Sequence, residues 1–109
     1  MNSGVQGFQI TFFTQQNRRH GDKPVAECLL DIAHALGIQG ATLLMGAEGF
    51  GHDRRVHSWR FFELAEQPIE VVMAVSAEEE RRLFERLRAE NIHVFYVKSA
   101  VEFGTLGAP

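Results

Sequence analysis

Gly37-Ile38-Gln39-Gly40-Ala41-Thr42-Leu43-Leu44-Met45-Gly46-Ala47-Glu48-Gly49-Phe50-Gly51 decides how this chain is read. It runs from a helix stop through a tight turn into an apolar strand, then into a Gly-Phe-Gly kink that opens a polar loop. Gly37 suits the left-handed residue that closes a helix, and Gly40 is expected to free the turn before the strand. Gly49 and Gly51 flank Phe50, so the backbone there can bend sharply and approach a ligand or a second chain without a Cβ in the way.

Working outward, the elements on either side have opposite periods. Upstream, Val25, Leu29, Ile32, Ala33 and Leu36 form one helical stripe, with Asp22 expected as N-cap and Pro24 in the first turn. Before it, Phe8-Gln9-Ile10-Thr11-Phe12-Phe13 alternates apolar and polar up to Phe13 and predicts a strand with one buried face, followed by a loop over 15–21. Downstream, the second strand is expected over 41–48. The segment from His52 to Arg55 is polar, and part of 56–64 reads as strand-like. Ile69 to Val75 is nearly all apolar, which predicts a central strand.

Ser76-Ala77-Glu78-Glu79 is a capping box, and Leu83, Phe84 and Leu87 give the helix behind it a buried face. Asn91 is expected to end that helix. Val94-Phe95-Tyr96-Val97 then reads as the last core strand, with Val101-Glu102-Phe103 as a short edge strand beyond it. The order β-α-β-loop-β-α-β predicts a ferredoxin-like α+β fold, a four-stranded antiparallel sheet with two helices on one face. At 109 residues the chain is read as one domain over 1–109, with frayed tails at 1–6 and 104–109.

Composition narrows the function. Hydrophobic residues make up 45% of the chain and nine are phenylalanine, enough for a small core that oligomerisation would extend. A net charge of −3 argues against nucleic acid as a partner. Cys28 is alone, which excludes a disulfide framework, and its place on the first helix makes it a small buried hydrophobe. Neither a secretory leader nor an apolar run long enough to span a bilayer is present, so a cytoplasmic location without membrane insertion is expected.

The loop from 51 to 67 concentrates the chemistry-bearing residues. His52, Arg54 and Arg55 are all able to donate to a phosphate. His52, Asp53 and His57 have spacing compatible with a metal, although no helical His-x-x-x-His and no thiolate pair supports one. Trp59, Phe61 and Phe62 follow as an aromatic cluster expected at a subunit or partner contact. A catalytic constellation is missing. Cys28 has no base near it in sequence, Ser58 and His57 point to opposite faces of a strand, and Asp53 and Glu48 have no acid-base partner. An enzyme is therefore not expected.

Gly37-Ile38-Gln39-Gly40-Ala41-Thr42 followed by Gly49-Phe50-Gly51 resembles the PII signalling superfamily. There a Gly-Ile-x-Gly-x-Thr turn leads to a Gly-Phe-Gly before the mobile T-loop. The closest likeness is the small PII-like branch known as domain of unknown function 190, and it extends from about Phe8 to Phe103. The resemblance implies a homotrimer that binds a small effector at subunit clefts, an adenyl nucleotide being the candidate ligand. It implies a non-catalytic signalling role exerted on a protein target, of which a membrane transporter is one example. It carries ligand-binding roles to Gly40, Thr42, Gly49, Phe50 and Gly51, with His52, Arg54 and Arg55 toward the phosphates. The family's phosphate loop, Gly-Asp-Gly-Lys, is replaced by Glu90-Asn91-Ile92-His93, and its C-terminal arginines by Val101, Phe103 and neighbours. One extra residue between Gly40 and Gly49 suggests a bulge in the second strand. Uridylylation of a loop tyrosine is excluded, because the only tyrosine, Tyr96, falls in a strand. A divalent-metal-binding trimer like the CutA proteins, which share the fold, is the alternative.

Overall fold

The computed structural model describes residues 4–45, 48–50, 56–58 and 67–109. Three long strands and one short one form the main sheet: β1 (Val5–Gln15), β4 (Ala41–Met45), β7 (Pro68–Ser76) and β8 (Phe95–Phe103). Between them lie a two-residue pair, β2 (Arg19–His20) with β3 (Lys23–Pro24), and a short ribbon, β5 (Glu48–Phe50) with β6 (Val56–Ser58). The helices are α1 (Val25–Ala35) and α2 (Ala77–Ala89). The sheet order is β4-β7-β1-β8 and every ladder is antiparallel, which is the ferredoxin-like topology expected from the order of elements. β7 is central, as its nearly all-apolar run, interrupted only by Glu70, predicts.

Alternation divides the sheet into two faces. Ile10 and Phe12 of β1 and Ile69, Val71, Met73 and Val75 of β7 point to one side, where they meet Val25, Leu29 and Ile32 of α1 and Leu83, Phe84 and Leu87 of α2. Both helices therefore cover the same face, and this single layer of apolar side chains is the core. Ser76 Oγ accepts from the Glu79 amide at 3.1 Å, and the Glu79 carboxylate accepts from the Ser76 amide at 2.9 Å, so the capping box forms as its spacing dictates. On the other face of the sheet Phe13, Leu44, Phe95 and Val97 are exposed.

Four local expectations are corrected. Asp22 does not cap α1. The helix begins after Pro24, which is extended at φ −60° and ψ 142° and makes no side-chain cap. A residue before proline is held extended, so Lys23, read as part of the helix start, pairs instead with His20 of the segment read as loop, in the β2–β3 bridge. The start of α1 is tied instead by Lys23 Nζ to Asp31 at 2.6 Å. Gly40 does not need glycine's backbone freedom, since the positive-φ glycines are Gly21, Gly37 and Gly107 among the described residues. The last strand is not two pieces but one, running through Phe103, and it stands at the sheet edge with Phe95, Tyr96 and Val97 exposed. Val5 and Gln6, read as part of a frayed end, are paired with Phe103 and Glu102. The bulge expected between Gly40 and Gly49 does not fall in 41–45, which pair residue for residue with 69–73, and residues 46 and 47 lie outside the described residues.

Candidate functional site

The turn from α1 to β4 is built by hydrogen bonds that consume the helix's last carbonyls. Gly37 N donates to His34 O at 3.1 Å and Ile38 N to Ala33 O at 3.0 Å, while Gly37 sits at φ +77°. This is the paired closure that a left-handed residue after the helix cap permits. Ile38 is drawn down into the core behind it. Gln39 and Gly40 are left on the surface, and nothing lies within 4 Å of where a Cβ on Gly40 would stand. The turn thus leaves open space beside Gly40. Thr42 follows on the exposed β4 edge, opposite Val72.

The β5–β6 ribbon sets the second group of expected residues. Gly49 lies opposite His57, and Phe50 opposite Val56. Residues 51–55, which connect these paired positions, lie outside the described residues. The expectations for Gly51, His52, Asp53, Arg54 and Arg55 fall there, as do those for Trp59, Phe61 and Phe62.

At the end of α2 the structure explains what became of the family's phosphate loop. Glu90 N donates to Arg86 O, Asn91 N to Arg88 O and Ile92 N to Leu87 O, each at 3.0 Å. Asn91 takes the left-handed conformation at φ 59°, which a short polar side chain tolerates. The geometry repeats that of Gly37. Three successive amides that a glycine-rich loop would aim at phosphate are spent on closing the helix, so they do not form an anion nest. The Glu90 carboxylate is itself paired with Arg86. A triphosphate would meet no free cluster of amides at residues 90–92.

Sequence reasoning missed one polar cluster. Lys98, on the helix side of β8, pairs with Glu80 of α2 at 2.7 Å, and its ammonium stands 4.8 Å from the Phe8 ring centre and 5.2 Å from that of Phe84. The Phe84 and Tyr96 rings meet edge-on at 4.8 Å beside it. The available signal was a lysine directly after the apolar run Phe95-Tyr96-Val97 of β8. Its position fastens α2 to the edge strand, which is an ordinary use of a snorkelling lysine.

The described residues offer little for catalysis. Cys28 is buried and free, and burial pushes its thiol up, away from the nucleophilic thiolate. No three of the described His, Cys, Asp and Glu side chains converge as metal ligands, and His34 is exposed on α1. Among the described residues no helix is long and apolar enough to cross a membrane.

An antiparallel sheet of order β4-β7-β1-β8 under two helices, with a glycine-flanked ribbon inserted between β4 and β7, is the architecture of PII-like proteins. The chain belongs to the domain of unknown function 190 family, described as "Uncharacterized ACR", whose model matches residues 7–102. A PII-like signalling protein from Thermus thermophilus is similar in structure, with 20% identity, a TM-score of 0.66 and coverage of 94% of this chain and 93% of that one. CPII, a nitrogen regulatory PII-like protein from Thiomonas intermedia, solved with ADP, AMP and bicarbonate, is similar at 16% identity and a TM-score of 0.67, covering 94% and 92% of the two chains. Its apo form matches at 17% identity with a TM-score of 0.55, covering 94% and 98%. No curated protein matches the chain.

Proposed function

We propose that this chain is a non-catalytic PII-like regulatory protein. In this reading it assembles as a homotrimer, binds an adenyl nucleotide in the clefts between subunits and contacts a protein target, for example a membrane transporter, through residues 51–67. The observation that carries the ligand assignment is the pairing of an open Gly40-Thr42 turn with a closed 90–92 turn. The base and ribose then lie beside Gly40, Thr42 and the Gly49-Phe50-Gly51 kink. The phosphates turn toward His52, Arg54 and Arg55, because the amides after α2 are already taken. CPII, similar in fold, was solved with ADP and AMP, which supports the choice of ligand class. The open apolar face of the sheet supports assembly, with Trp59, Phe61 and Phe62 as further contacts.

A thermal-shift panel of ATP, ADP, AMP, cyclic nucleotides, zinc and copper tests the reading. A ligand at 100 times its dissociation constant adds about 2.7 kcal/mol to the native state, which for a domain of this size raises Tm by roughly 10 °C. Stabilisation by an adenyl nucleotide is expected. Stabilisation by zinc or copper alone would replace this reading with a CutA-like metal-binding trimer that uses His52, Asp53 and His57.

A further inference from the structure

We draw no further inference here: the strongest candidate, the cationic side-chain cluster of Arg18, Arg19 and Lys23 around the β2–β3 pair at the start of α1, carries nothing, because Arg19 is taken up by the Asp22 carbonyl and Lys23 by Asp31, which leaves a helix N-terminus without a side-chain cap and nothing among the described residues to say what it would bind.

Discussion

Gly7→Ala is the sharpest stability test the fold offers. Gly7 lies where β1 is flanked on both sides, opposite Ser76 of β7 and Val101 of β8. A Cβ placed on it would stand 2.0 Å from the carbonyl oxygen of Val75 and 2.9 Å from the ring of Phe103. Carbon and oxygen without a covalent bond approach to about 3.3 Å, so β1 and β7 would have to part by more than an ångström at this point. A ladder bond does not survive that displacement. Losing one or two of them, with the groups left buried, costs about 2–4 kcal/mol. At about 2.1 cal/mol/K per residue the unfolding entropy of the chain is near 0.23 kcal/mol/K, which converts to a Tm lower by about 9–17 °C. Differential scanning calorimetry at one fixed protomer concentration measures it, since association makes Tm concentration-dependent. A Tm within about 2 °C of the parent's would refute the close approach of β1 to β7.

Substitutions at two other positions, and chemical labelling at a third, probe the rest of the framework. Lys98→Ala removes the Glu80 ion pair and two ring contacts from a partly buried site, and urea denaturation is expected to show a loss of about 1–2 kcal/mol. Lys98→Met, which keeps the stem, should recover part of it. Asn91→Gly is expected to be neutral or slightly stabilising, whereas Asn91→Ala should lose about 1 kcal/mol, because only the alanine pays for a left-handed φ. Urea midpoints that ranked the two the other way would contradict the helix closure. Cys28 should react with a thiol reagent much more slowly than free cysteine, since burial both shields it and raises its thiol, and its labelling rate should accelerate only under denaturing conditions.

Helix ends and the central strand were legible in the sequence because each has a short-range chemical cause. Gly37 and Asn91 close their helices by the same left-handed step, and Ser76 with Glu79 opens α2 with a side chain that has one geometric use. Ile69 to Val75 could be placed in the middle of the sheet because a run apolar at every position but Glu70 is compatible with burial on both faces. What was not legible depends on distant partners. The two residues of β2 and β3 carry no periodicity, so their pairing, and with it the displacement of the α1 start from Asp22 to Pro24, emerges only when the chain folds back. Phe95-Tyr96-Val97 is as apolar as a core strand, yet it stands at the edge, because sheet order rather than composition decides which strand is outermost. For the candidate site, the sequence indicated the missing glycines at 90–93. It could not reveal that Glu90, Asn91 and Ile92 have spent their amides on α2.

The central claim is that nucleotide phosphates are held by the 51–55 segment and not by the turn after α2. Titration calorimetry of ADP into the parent, Arg54→Ala/Arg55→Ala and His93→Ala tests it in one series. The parent should bind. The double variant should lose roughly 1.5–3 kcal/mol for each charge-assisted phosphate bond removed, at least tenfold in affinity. His93→Ala should bind like the parent. Unchanged affinity in the double variant together with lost affinity in His93→Ala would contradict the account, as would a parent that binds no adenyl nucleotide at all.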